Sequence, residues 1–178
     1  MANSTQNVSF ENNVKKIINL ILTKQSKMIR EQDLRNLCDR SLNFDDLIAE
    51  VYQRLKDIGF ELVKSSFLNH KYYILTTEGK DDSISPSQYG TLALIIALTK
   101  EVDEDMNLDD LKTLFSELWE TDIKFLIEND YLRKIKVNDL EIVKVTPLGK
   151  AIMKDISKNL KIKNLIDIFQ QKEPEIED

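Results

Sequence analysis

One histidine, one cysteine and three Asp-Asp pairs are the residues of this 178-residue chain whose chemistry would matter first. A metal site or a nucleophile–base pair needs several such groups converging on one point. His70 has no neighbour of that kind and sits where two β-branched and aromatic runs meet in "FELVKSSFLNHKYYIL". Cys38 falls on the apolar side of a helical segment, where a small buried hydrophobe is its ordinary role. Asp45-Asp46 and Asp109-Asp110 open helical segments, where carboxylates favour the helix dipole. Asp81-Asp82 lies in a polar linker. The four glycines form neither a G-x-G-x-x-G nor a G-x-x-x-x-G-K-[ST] loop, so no phosphate cradle is written here. The expectation is a protein without catalytic residues, metal or cofactor.

Charge narrows the partners. The net charge is −6 and the pI about 5.0, which gives no bulk attraction to phosphate backbones or anionic membranes. Any nucleic-acid contact needs a local patch. One candidate is Arg133, Lys134, Lys136 and Lys144, continued by Lys150, Lys154, Lys158, Lys161 and Lys163; the alternative is a solvated lysine-rich face. The longest apolar run, Leu92 to Leu98, is far short of the roughly 18 residues that span a bilayer. With no secretory-type opening and one cysteine, the expected setting is intracellular, in cytoplasm and nucleoid or in a nucleus.

The elements that would carry these residues follow from periodicity. Val14, Ile17, Ile18, Ile21 and Leu22 give one apolar face to a first helix over 11–24. A second helix spans about 30–40. A third starts at the cap Asn43 and presents Phe44, Leu47, Ile48, Val51, Tyr52, Leu55 and Ile58 before Gly59 stops it. Two strands follow, meeting around Asn69-His70. After the linker, Ser85, Pro86 and Gln88 spell a capping box, and the same order returns: helices from Pro86, from the cap Asn107 and from about Glu117, then strands meeting around Asn138-Asp139. The two copies are offset by about seventy residues.

Three helices closed by a hairpin describe a winged helix, and two hairpins describe two in tandem. The predicted fold class is α+β, mainly α, with a flexible N-terminus (1–10), winged-helix domain A (11–77), a linker (78–85), winged-helix domain B (86–146), C-terminal helices (147–170) and a disordered acidic tail (171–178). The third helices, which would enter the major groove of DNA, carry net charges of −2 over 43–58 and −4 over 117–130. They would repel phosphate. Protein binding is the better expectation, and the helix "SPSQYGTLALIIALTKEV", apolar nearly all round from Leu92 to Leu98, offers more surface than a three-helix core uses.

Four stretches carry a family resemblance. "IINLILTKQSKMIREQDL", "LKDIGFELVK" with "YYIL", "YGTLALIIAL" and "FLIENDYLRK" occur in the order of the MAGE homology domain, the module of the MAGE proteins and of the non-SMC element three subunit of an SMC complex. The likeness covers about Val14 to Thr146. At "VTPLGKAIM" the chain departs from the MAGE close and is more similar to ScpB, the partner of bacterial SMC proteins; both belong to the kite group. The resemblance implies a non-enzymatic subunit that binds a kleisin and pairs with a second kite or RING-bearing subunit, or with its own copy, in chromosome maintenance or DNA repair. Two adjacent leucines that contact a RING-bearing partner in that family fall on Leu20 and Ile21 here. The rival expectation is a tandem winged-helix DNA-binding transcription factor.

Overall fold

The apolar stripe of the first segment begins earlier than Val14. Phe10, Val14, Ile17 and Ile21 are spaced by fours and threes, and Phe10 packs against the buried cluster that the other three help to form. This stripe belongs to helix α1, Ala2–Thr23. The stretch 1–10, expected to be flexible from its polar composition, is therefore helical from its second residue. The computed structural model describes residues 2–77, 83–102 and 106–154. Residues 78–82 of the expected linker, most of the expected C-terminal helices and the expected acidic tail lie outside the described residues.

The chain divides into two compact units, Met1–Lys80 and Asp81–Asp178. In the first, α1 is followed by strand β1 (Met28–Arg30), helix α2 (Glu31–Leu37), helix α3 (Phe44–Asp57) and strands β2 (Phe60–Phe67) and β3 (His70–Thr77). In the second, helix α4 (Pro86–Val102), strand β4 (Met106–Asn107) and helix α5 (Leu108–Leu114) lead through a π-type turn, Trp119–Ile123, into α6 (Lys124–Glu128), β5 (Leu132–Val137), β6 (Leu140–Val145) and α7 (Pro147–Ile152). Helices dominate, and each unit holds one small antiparallel sheet, in the orders β1-β3-β2 and β4-β6-β5.

The short strands β1 and β4 were not anticipated. Two or three residues between helices carry no readable period, and they form because each pairs with the central strand: Ile29 opposite Tyr73, Asn107 opposite Ile142. The hairpin turns are two residues long. In the second, Asn138-Asp139 links Val137 to Leu140, as expected. In the first, the loop is Leu68-Asn69, one residue ahead of the expected Asn69-His70. Both loop residues are left-handed, with φ of 49° and 61°, the backbone of a turn that matches strand twist. Register explains the shift: a loop at Asn69-His70 would set Leu62 and Val63 against Thr77 and Thr76 instead of Leu75 and Ile74.

Caps fix the helix ends. Asn43 accepts from the Asp45 amide and Asn107 from the Asp109 amide. Ser85 and Gln88 exchange backbone and side-chain bonds, 2.9 and 3.3 Å, as a capping box. The corner from helix to hairpin is built twice with different residues. Gly59 takes φ +84° and donates to Lys56 O, while Asp130 takes φ 60° and donates to Ile127 O, with Tyr131 N reaching back to Leu126 O.

In the first unit the core joins α1, α2, α3 and the sheet through Val14, Ile17, Leu34, Leu47, Val51, Leu55, Leu62 and Tyr73. Arg54 ties α3 to α1 through Glu11 at 2.6 Å and holds Glu50 at 2.8 Å. The Arg54 hydrogen bond keeps the Glu11 carboxyl below its ordinary pKa. In the second unit Leu92, Ile95, Leu111, Ile123, Leu126, Leu132 and Val143 are buried.

Candidate interaction surfaces

Leu20 and Ile21 lie in the last turns of α1, but on different surfaces. Ile21 is 3% exposed and belongs to the core, so it has no side chain to offer a partner. Leu20 is half-buried against the same cluster, and Leu22 beside it is 43% exposed.

The four cations of the second hairpin divide by strand parity. Lys134 and Lys136 share one face of the sheet; Arg133 and Lys144 form a cross-strand pair on the other. Arg133 is held by Asp130 in a fork, with Nε–Oδ1 at 2.9 Å and Nη2–Oδ1 and Nη2–Oδ2 both at 2.6 Å. Lys136 stands opposite Glu141. The Lys134 ammonium lies 5.7 Å from the ring centroid of Trp119, and Lys112 of α5 lies at the same distance. Of the basic residues further on, Lys158, Lys161 and Lys163 lie outside the described residues.

This lysine–tryptophan–lysine arrangement is a feature that the sequence reading missed. Lys112, Trp119 and Lys134 come from three different elements, α5, the π-type turn and β5, and the available signal was a lone tryptophan at the start of a helical segment. A second missed feature is the buried Glu31, first residue of α2. It accepts from Arg35 at 2.9 Å, Lys64 at 3.0 Å and the Tyr73 hydroxyl at 3.4 Å. Burial pushes its pKa up, but the Lys64 and Arg35 bonds outweigh that and hold the carboxyl below its ordinary value. Arg35 in turn stacks 4.0 Å over the Phe44 ring. Charge here locks α2 to the sheet. The third is Asp122, 3% exposed, which accepts from Ser87 and Thr91 at 2.7 Å each and fastens the π-type turn to α4.

His70 opens β3, is exposed and pairs with Phe67. Cys38 is half-buried and donates to Leu34 O at 3.1 Å, and burial pushes its thiol pKa up, away from a reactive thiolate. It lines an open hollow of about 540 Å³ between α1 and the α2–α3 corner, with Val8, Asn12, Lys16, Leu37 and Asp39. Among the described residues no three potential ligands cluster as a metal site, and no helix is long and apolar enough to cross a membrane. Asp45-Asp46 and Asp109-Asp110 occupy first helical turns, and Asp81-Asp82 lies outside the described residues.

No family model matches this chain, and no curated protein matches it. Among solved structures, one chain of an assembly described as "Nse1-Nse3-Nse4 complex" is similar in fold, with a TM-score of 0.58 and 19% sequence identity over 93% of this chain and 92% of that one. The likeness extends across both units.

Proposed function

We propose that this chain is a non-enzymatic, MAGE-like kite subunit of an SMC complex, built of two tandem winged-helix domains that bind a kleisin and a second kite or RING-bearing subunit in chromosome maintenance or DNA repair. The observation that carries the reading is the fold likeness over nearly the whole of both chains to a component of a three-protein assembly. The internal order supports it: helix, strand, helix, helix, strand, strand occurs twice, the order of a winged helix. Charge supports binding to protein over reading of DNA. Helix α3 carries Asp45, Asp46, Glu50 and Asp57 against Arg54 and Lys56, and a helix of that balance is a poor groove reader. In this reading the protein works inside the cell on chromosomes, and Leu20 on α1 contributes to the partner contact.

The test is affinity purification of the tagged protein from its own source after nuclease treatment, with mass spectrometry of the co-eluting chains. Recovery of an SMC ATPase together with a kleisin or a RING-bearing subunit is the expected result. Recovery of RNA polymerase, or loss of every partner once DNA is digested, overturns the reading in favour of a DNA-binding transcription factor.

A further inference from the structure

Strand β5 is the outer strand of the second sheet, and the hairpin turn decides which of its backbone groups face outward. The two-residue loop makes Val137 and Leu140 a hydrogen-bonded pair, since such a turn closes with the C=O of its first residue bonded to the N–H of its fourth. Bonded and non-bonded pairs alternate along an antiparallel ladder. Val137, Ile135 and Arg133 therefore point their backbone groups at β6, and Lys136, Lys134 and Leu132 point theirs out of the sheet. Among the described residues no strand pairs with that side. Lys134 and Lys136 are exposed and form no ion pair among the described residues: the Lys134 ammonium lies over the Trp119 ring, and Lys136 stands opposite Glu141 in the ladder.

An unpaired edge is a template for a further strand, and its side chains select which one. A second copy joined antiparallel through β5 sets lysine opposite lysine, or Arg133 opposite Arg133, in each register centred between residues 133 and 136. Such a copy is repelled. The strand of complementary charge carries carboxylates at alternate positions, opposite Lys134 and Lys136. Its intervening side chains fall on the other face of the sheet, beside Ile135 and Val137, where Val137 is 46% exposed and Leu140 behind it 60%. Apolar residues fit there. We propose that the outer edge of β5 is a docking site for an extended segment of a partner protein in which acidic and apolar residues alternate, added antiparallel to β5. Ladder bonds to the Lys134 and Lys136 backbones hold it, and the two lysines select its sequence. The partner is defined by this pattern alone and not by the assembly proposed above.

The experiment titrates the full chain with a dye-labelled synthetic peptide, about as long as β5, that alternates glutamate with valine, and follows anisotropy together with amide hydrogen exchange. Exchange of the Lys134 and Lys136 amides should slow about tenfold at a peptide concentration about ten times its Kd, while the Ile135 amide, already bonded to β6, should not change. N-methylation of the glutamates, whose N–H groups face β5 in this pairing, should abolish binding, and N-methylation of the valines should leave it. Lys134→Glu with Lys136→Glu, at exposed positions, should weaken the peptide about tenfold and favour one with lysine in place of glutamate. Absence of binding overturns the proposal. So does binding that leaves the two amides unprotected, which reduces the lysines to general attraction for anionic peptide or nucleic acid. Protection of the same amides before peptide is added assigns the edge to a second copy if it fades on dilution, and to the chain itself if it does not; either overturns the proposal too.

Discussion

Gly149 is the residue whose replacement tests the second unit most directly. It lies in α7, where alanine ordinarily improves a helix by about 1 kcal/mol. Here a Cβ would meet Tyr131 O at 2.4 Å and Val145 Cγ1 at 3.1 Å. Relief to an ordinary C···O separation of about 3.3 Å requires the start of α7 and the α6–β5 corner to part by about 1 Å. The bonds that stitch this place would not survive such a shift: Thr146 N to Tyr131 O at 3.0 Å, Gly149 N to Thr146 Oγ1 at 3.1 Å and Thr146 Oγ1 to Tyr131 O at 3.2 Å. Losing two of them costs about 2 kcal/mol and the overpacking about 1–3 kcal/mol more. After the helix gain, Gly149→Ala should destabilise by about 2–4 kcal/mol.

Trp119, the single tryptophan, lies in this unit and reports its unfolding. With a urea slope of about 1–1.5 kcal/mol/M, the midpoint should fall by about 2 M. Gly90→Ala is the control, because α4 leaves open space around that position; it should stabilise by about 0.5–1 kcal/mol. If Gly149→Ala behaves like Gly90→Ala, the close approach of α7 to the Tyr131 carbonyl is wrong.

Three further outcomes are expected. Gly59→Ala, at φ +84°, should cost about 1–2 kcal/mol of stability in the first unit by circular dichroism, though no atom lies within 4 Å of its Cβ. Ile21→Asp should unfold the first unit, because it puts an unpaired charge into the core, whereas Leu20→Asp should keep the circular dichroism spectrum and lose the co-purifying partner. Since the Glu31 carboxyl is held below its ordinary pKa, its contribution to stability is present above about pH 4.5 and is lost as pH falls through the folded value. A urea series from pH 6 to pH 3 should show a smaller acid loss in Glu31→Gln than in the parent chain.

Most of the helical layout was legible because its signals are local. Caps at Asn43, Ser85 and Asn107, the stop at Gly59 and the three-and-four spacing of α3 all act within one or two turns. What escaped was set by contacts across the chain. The strands β1 and β4 exist only as partners of β3 and β6. The run Tyr72, Tyr73, Ile74 does not alternate because β3 is central in its sheet and buried on both faces. The π-type turn has no sequence signature; it goes with the buried Asp122, fixed by Ser87 and Thr91 about thirty residues earlier. The basic hairpin was read as one patch because sequence counts charges without assigning them to faces, and strand parity divides it.

That division follows from how the second copy of the corner is built. In the first unit a glycine makes the left-handed step with no side chain. In the second, Asp130 makes it and therefore brings a carboxylate to the base of the hairpin. Asparagine and aspartate tolerate this backbone better than other residues with a Cβ, so the step itself is cheap. Its consequence is electrostatic: the carboxylate takes Arg133 in a fork, and the Asp130 carbonyl accepts from Thr146, which caps α7. One residue thus anchors the entry strand and, through Thr146, the exit from the hairpin. The most basic-looking part of the second hairpin is in this way partly taken up by its own structure. Lys134 stands apart from this arrangement, on the other face beside Trp119 and Lys112.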